Sequence, residues 1–341
     1  MSEHTRRLRI ALDAMGGDSA PEATVAGAIR AARELPCDIV LIGDQDAVTR
    51  QLARYPRAST LSVLHAPEAI GMDESPVASV RKKRRSSINI GMEGLREGRL
   101  DAFVSAGNTG AVVSAGTLLL GLLPGAERPG IALLLPGIKQ ETLLIDVGAN
   151  IAPKPSHLLQ YALMGEAYVR FVLERERPRV GLLNVGEEET KGTEFIRETY
   201  EMLERSGVNF AGNAEGRDIF LGTFDVIVCD GFVGNVALKT AESLAKAIGQ
   251  VLKRSLDMSP ITRLGAWLCQ GAFQALRKEI DYAEHGGAPL LGVDGVCIIA
   301  HGASTAKAIK NALRVGYESV RHDAKRHLIE ALTGQNSIAA S

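Results

Sequence analysis

Nine short apolar runs, at 8–12, 39–42, 61–64, 102–104, 131–135, 143–145, 180–183, 226–229 and 296–300, alternate with stretches of helical periodicity along this 341-residue chain. The runs are continuously apolar, the pattern of strands covered by helices on both faces. The helical stretches at 76–97, 157–174, 192–205, 233–253 and 304–329 carry charge on one side and Leu, Ile, Val or Ala on the other. Pro21, after Asp18 and Ser19, and Pro155, before Ser156, stand where a helix's first turn accepts proline. The expected fold is α/β: a doubly wound, mostly parallel sheet flanked by helices. No linker-like break divides residues 6–330, so a single α/β domain is expected there. Residues 331–341 are expected to fray.

Five of the runs lead into turns rich in Gly, Asn and Asp, at 13–18, 105–110, 146–150, 184–188 and 230–235. At the carboxyl ends of parallel strands such turns gather where ligands bind. Glycine lets a backbone approach a ligand closely, and the first N–H groups of the following helix are open to an anion. Tight turns need these residues for their own sake, so one loop would say little; five of one chemistry point to an enzyme handling a small anion, phosphate above all. GxxxxGK[ST] and GxGxxG are both missing, which argues against a nucleotide P-loop and a dinucleotide fingerprint.

A formal net charge of -1 and only 4 % aromatic residues argue against a nucleic-acid partner. Cys37, Cys229, Cys269 and Cys297 form no CxxC pair and read as reduced, mostly buried thiols. His322 and His327 miss the i,i+4 spacing of a helical metal pair, so no metal is expected. The longest apolar stretch, 111–123, is interrupted by Ser114, Gly116 and Thr117 and is shorter than the roughly 20 residues that span a bilayer. The run at 8–12 is too short for a signal peptide. A cytoplasmic protein is expected, touching a membrane at most peripherally.

The strings at 10–18 (IALDAMGGD), 105–111 (SAGNTGA), 146–150 (DVGAN), 181–186 (GLLNVG), 230–235 (DGFVGN), 286–292 (GGAPLLG) and 300–304 (AHGAS) resemble, in order, the signature blocks of the phosphate acyltransferases of bacterial phospholipid synthesis. The resemblance runs from about residue 8 to 329. It implies transfer of a fatty acyl group from acyl carrier protein to inorganic phosphate, giving acyl phosphate, with no cofactor. It also implies a fold like that of the isocitrate and isopropylmalate dehydrogenases and the phosphotransacetylases, a homodimer, and peripheral membrane contact near a membrane acyltransferase that takes the product.

The chemistry agrees with such a reaction. A thiolate leaves readily, so neither an enzyme nucleophile nor a strong acid is required. What remains is positioning and charge stabilisation. Lys191 is the candidate clamp on phosphate or oxyanion, and Asn235, at a helix start, the neutral donor to the same centre. Gly16, Gly17, Gly107, Asn108, Thr109, Gly110, Asn150, Asn184, Gly186 and Gly231 are candidate substrate-binding residues, with Asp13, Asp146, Asp230 and His301. Each has a plainer alternative. Lys191 sits beside Glu187, Glu188 and Glu189 and could instead be an ion-pair partner; the aspartates read as turn holders, and His301 as a structural histidine.

Arg81, Lys82, Lys83, Arg84 and Arg85 cannot share one helix face, so some must meet solvent or a partner. They are either a solvated surface or a docking patch for the acidic carrier protein. The stretch 260–281 is amphipathic, with Leu264, Leu268 and Phe273 on one side and Trp267 at the border. It reads either as a helix packed on the core or a dimer partner, or as an interfacial membrane contact. Three rival functions stay open: a coenzyme A-dependent phosphotransacetylase, a metal- and NAD-dependent dehydrogenase, and a non-catalytic membrane scaffold.

Overall fold

The structure, a computed structural model, describes residues 6–56, 58–273 and 286–336. The strands are β1 (Arg9–Asp13), β2 (Asp38–Gly43), β3 (Leu61–His65), β4 (Ala102–Ser105), β5 (Gly130–Leu135), β6 (Thr142–Ile145), β7 (Val180–Leu183), β8 (Phe210–Ala214), β9 (Val226–Val228), β10 (Ala288–Leu291) and β11 (Val296–Ile299). They form one sheet in the order β3-β2-β1-β4-β11-β10-β5-β6-β9-β7-β8. The helices are α1 (Glu22–Glu34), α2 (Gln45–Leu52), α3 (Pro76–Lys82), α4 (Ser87–Arg96), α5 (Thr109–Ala115), α6 (Pro155–Phe171), α7 (Glu194–Glu204), α8 (Asp218–Leu221), α9 (Gly231–Leu256), α10 (Pro260–Leu268), α11 (Ala306–Arg321) and α12 (Ala324–Asn336). A π-helical turn, Gly116–Leu120, continues α5.

The sheet is mostly parallel, as expected, but it consists of two blocks. β3, β2, β1, β4 and β11 are parallel, and so are β6, β9, β7 and β8. Between them β10 and β5 run antiparallel to both of their neighbours. Three successive reversals turn the second block against the first. The register nevertheless brings the two sets of strand ends together. Ile299, ending β11, pairs with Ala288; Leu290 pairs with Ile131; and Ala132 pairs with Ile145, ending β6. Loops from both blocks therefore open on the middle of the sheet.

Apolar strands are sandwiched as their composition requires. Ile10, Leu12 and Ile298 lie beneath α1 and α11, with Val25, Ile29, Ile309 and Leu313. The two helices pack so tightly that a Cβ on Gly27 would come within 2.6 Å of Ile309. In the second block Tyr161, Met164 and Val169 of α6 meet Val226 and Val228. A third cluster crosses the opposite face of both blocks, from Met92 and Phe103 to Ile227.

Several elements differ from the sequence expectation. β8 and β10 are absent from the nine expected runs; they hold Gly212, Asn213 and Pro289, residues that interrupt a strand pattern. Pro289 is tolerated because Ala288 and Pro289 pair with β11 while Leu290 and Leu291 pair with β5. The stretch 76–97 breaks after Lys82, where Ser86 caps α4 through the Asn89 N–H. The stretch 304–329 breaks at Asp323, which adopts φ 51. Beyond it α12 continues to Asn336 and Leu332 is only 3 % exposed, so residues 331–336 are helix and not a frayed tail; 337–341 lie outside the described residues.

α9 behaves unlike the other helices. Of its 26 residues only Gly231, Gly234 and Glu242 are buried. Phe232, Val233, Val236, Leu244, Ile248, Val251 and Leu252 are exposed along it. α10 continues this bare apolar surface with Ile261, Leu264, Trp267 and Leu268. The amphipathic stretch thus does not pack on the core. Its residues 274–281 lie outside the described residues.

Candidate active site

The two blocks part above β5 and β10 to leave a cleft of about 310 Å³. Its floor is apolar, with Ile131 and Leu133 of β5, Ala288 of β10, Ile299 of β11, and Val147. The first block contributes Thr109 and Gly110, which open α5, and the loop residues His301 and Ser304. The second block contributes one stripe of α9: Asn235, Leu238, Lys239 and Glu242. Their spacing (i, i+3, i+4, i+7) puts them on a single helix face.

Gly234 sets that stripe. A Cβ there would lie 2.0 Å from the Asp146 carbonyl oxygen, so only glycine lets the first turn of α9 rest on the 146–150 loop. Asn235 is thereby placed beside Gly148 at the cleft wall. The α9 terminus itself is closed to ligands. Asp230 Oδ1 accepts the Phe232 and Val233 N–H groups at 3.0 and 2.9 Å, and Gly231 N donates to Asn150 O at 2.8 Å.

The other glycine-rich loops mostly turn their amides inward as well. Asp146 Oδ1 accepts N–H groups from Ile131, Gly148 and Ala149, and Oδ2 accepts from Ala149 and Asn150, at 2.7–3.1 Å. Asp13 accepts the Met15 N–H and the Ser105 hydroxyl, which in turn accepts the Gly107 N–H. Burial pushes both carboxyls above the usual aspartate range, against the pull of these hydrogen bonds. Both aspartates hold turns, the plainer of the two readings open from sequence. Open amides remain at the start of α5, where Asn108 Oδ1 caps Ala111 N, while Thr109 and Gly110 N–H have no protein acceptor among the described residues.

The candidate residues therefore separate into three groups. Thr109, Gly110, Asn235 and His301 line the cleft. Asp13, Gly16, Gly17, Gly107, Asn108, Asp146, Asn150, Asp230 and Gly231 form a layer behind it. Asn108 donates its amide to the Gly71, Met72 and Glu74 carbonyls, and Asn150 to Pro129 O and the Tyr161 hydroxyl, so neither amide is aimed at a ligand. Gly16 abuts Asp13 and Gly107, and Gly17 abuts the Gly302 carbonyl, locking three loops of the first block together. The third group stands outside the cleft lining. Lys191 lies on an exposed loop beside Gly186, its carbonyl held by the Asn184 amide at 3.2 Å.

Lys239 and Glu242 were missed from the sequence. Lys239 Nζ lies 3.1 Å from Glu242 Oε2 and 3.5 Å from His301 Nε2. The signal was a polar pair inside the stripe that begins at Asn235, hidden because the helix was read only for its amphipathic pattern. Among the basic residues, Lys83 turns inward to Glu74 and the Ala69 carbonyl, while Arg81, Lys82, Arg84 and Arg85 are exposed. Arg81 and Lys82 lie in the last turn of α3, which packs against α5 of the cleft's first wall.

Comparison with known proteins identifies the family and the fold. Residues 8–326 match the model of a family described as fatty acid synthesis protein. The phosphate acyltransferase of Syntrophotalea carbinolica is 47 % identical over 331 residues, covering 97 % of this chain and 95 % of its own. That of Citrifermentans bemidjiense is 49 % identical over 312 residues, covering 91 % and 89 %. Among solved structures, a phosphotransacetylase from Streptococcus pyogenes superposes with a TM-score of 0.65 at 16 % identity, covering 93 % of this chain and 95 % of its own. A 4-hydroxythreonine-4-phosphate dehydrogenase from Klebsiella pneumoniae reaches 0.54 at 15 % identity, covering 93 % and 99 %. The fold is thus the dehydrogenase-like α/β fold expected. With relatives this close over nearly its whole length, the chain belongs to the phosphate acyltransferase family, and it is an acyltransferase.

Proposed function

We propose that the cleft transfers a fatty acyl group from the thioester of acyl carrier protein to inorganic phosphate, reversibly. A phosphate oxygen attacks the thioester carbonyl carbon; the C–O bond forms as the carbonyl electrons move onto oxygen. Collapse of that oxyanion breaks the C–S bond, and the thiolate takes the proton of hydrogen phosphate. The products are acyl phosphate and the free carrier thiol. The observation that carries this reading is the pairing of an apolar floor with polar donors facing each other across it. Ile131, Leu133, Leu238 and Ile299 suit an acyl chain, and the Thr109 and Gly110 amides with the Asn235 side chain suit a developing oxyanion. Direct attack is favoured over a covalent enzyme intermediate. Burial raises the Cys229 thiol well above its ordinary range and Cys297 to about 12, which suppresses thiolate at both.

Lys191 keeps the role of transition-state clamp in this proposal, brought to the reacting centre by its own loop. The exposed Arg81, Lys82, Arg84 and Arg85 dock the acidic carrier protein at the cleft's first wall. The bare stripe of α9 is covered by a second copy of the chain in a homodimer. The apolar tip, with Leu264, Trp267, Leu268 and Phe273, touches a membrane surface close to the acyltransferase that takes the product. No helix among the described residues is long and apolar enough to cross a bilayer.

The test is incubation with acyl-carrier-protein thioester and labelled phosphate, followed by hydroxylamine trapping. Labelled acyl phosphate supports the reading. A product formed only from the coenzyme A thioester moves the assignment to a coenzyme A transacylase, and no acyl phosphate from either donor ends it.

A further inference from the structure

A doubly charged acceptor such as phosphate needs positive charge beside it, and Lys239 is the one lysine or arginine among the described residues lining the cleft. It follows Asn235 by one helical turn, so both side chains leave α9 on the same side. Its side chain is 54 % exposed, which by itself describes an ordinary surface lysine. Its partner is not ordinary. The Glu242 side chain is only 8 % exposed, and a buried carboxylate cannot be left without a counter-charge. Glu242 therefore pins the ammonium at the cleft wall instead of leaving it to sample solvent.

The opposite wall supplies the second observation. His301 Nδ1 accepts the Ala303 N–H at 3.0 Å, which places the proton of the neutral ring on Nε2. That Nε2–H meets the Lys239 ammonium at 3.5 Å, so two donors face each other across the join between the blocks. An anionic oxygen entering the cleft here meets the Lys239 ammonium. Ser304, in the same loop, adds a hydroxyl to the lining.

We propose that Lys239 is the cation that binds the phosphate acceptor in its ground state, with Glu242 as its positioning residue. One phosphate oxygen sits against the Lys239 ammonium, while Asn235, one turn earlier, faces the reacting carbonyl. This rests on the phosphate-acceptor reading above. It divides the charged work by kinetic signature: Lys239 acts in KM for phosphate, Lys191 in kcat.

The test is the phosphate dependence of full-length wild type, Lys239→Gln, Lys239→Arg and the double variant Lys239→Gln/Glu242→Gln, at saturating acyl-carrier thioester. Loss of one charge-assisted contact should raise KM for phosphate about 10- to 100-fold in Lys239→Gln. KM for the thioester should not change, and Lys239→Arg should stay within about threefold of wild type, because the charge is kept. The double variant removes the buried unpaired carboxylate; it should melt like wild type and show the same phosphate defect. Inorganic phosphate alone should raise the melting temperature of wild type, and this shift should vanish in the double variant. A phosphate KM within twofold of wild type in both Lys239→Gln variants, or an equal loss in Lys239→Arg, overturns the proposal. If wild type makes no acyl phosphate yet phosphate still stabilises it through Lys239, the anion site stands and the reaction reading falls.

Discussion

In the first block Asp13 ends β1, and in the second Asp146 directly follows β6; each carboxyl is buried at the root of a glycine-rich loop. Asp146 is ringed by main-chain N–H groups alone, on both oxygens. Asp13 is met by the Met15 and Gly16 N–H groups and by the Ser105 and Ser87 hydroxyls, which can turn to accept or donate. The difference carries through to the walls they support. The loop behind α9 has its amides committed to Asp146, so the second wall meets a ligand with side chains, Asn235 and Lys239. The first wall keeps two uncommitted amides at the start of α5. One wall is built for charge and the other for backbone dipoles, and each can be damaged without the other.

The largest test of that division is Asn235→Ala. If the amide donates to the oxyanion, its removal should lower kcat on the order of 10²–10³-fold with folding intact, as for other oxyanion donors. Lys191→Ala should follow, with a kcat loss of about 10²-fold and an unchanged phosphate KM, if its loop delivers the ammonium to the transition state. Steady-state kinetics on both thioester and phosphate separate the two. A Lys191→Ala enzyme within twofold of wild type would return this lysine to its plainer reading, a loop residue among Glu187, Glu188 and Glu189, and would leave the second wall's charge to Lys239 alone.

The aspartates sharpen the contrast through stability. In Asp146→Asn the new NH₂ must face main-chain donors whichever way the amide turns, because both oxygens accept them. Burying such opposed donors should cost about 1–3 kcal/mol. In Asp13→Asn the NH₂ can donate to Ser105 Oγ, which retains acceptor capacity, so the cost should be about 1 kcal/mol or less. Urea unfolding of the two variants measures the gap. Equal losses would mean that the hydroxyl gives the first block no adaptability.

These distinctions also mark where the sequence could be read and where it could not. Strands such as 8–12 and 180–183 were legible because burial on both faces demands continuous apolar runs. Pro289 and Gly212 hid their strands, since turn residues in a strand are permitted only by short or edge pairing that lies elsewhere in the chain. Strand direction leaves no local trace, so the reversal at β10 and β5 was invisible, and with it the fact that strand ends of opposed blocks share one cleft. The five glycine-rich loops were correctly located. Which way their amides point depends on Asp146 and Asp230, whose carboxylates compete with any ligand for the same N–H groups. Lys239 escaped notice for a similar reason. Its place on the cleft wall and the burial of Glu242 distinguish it from Lys246 or Lys253 further along the same helix, and neither is visible in the sequence.

The smallest effect is a pH dependence confined to the first wall. Glu74 accepts hydrogen bonds from Lys83, Gly71 N and the Ser79 hydroxyl, and they hold its carboxyl down to about 2. The Glu74 carbonyl is one of three that receive the Asn108 amide, so this strap is tied to the residue that caps α5. A carboxyl lowered on folding contributes stability that is complete above its ordinary pKa, near 4.5, and is lost as pH falls toward about 2. Acid should therefore loosen the α5 start between these limits without a matching loss of stability at the Asp146 loop. Burial has raised that aspartate instead, and a raised carboxyl loses no stability as pH falls. Amide exchange at Thr109, Gly110 and Ala111, compared with Gly148 and Ala149 from pH 5 to pH 3, reads the difference. In Glu74→Gln the first set should exchange faster already at pH 5. Parallel loss at both loops in wild type would show that the two walls are not separately held.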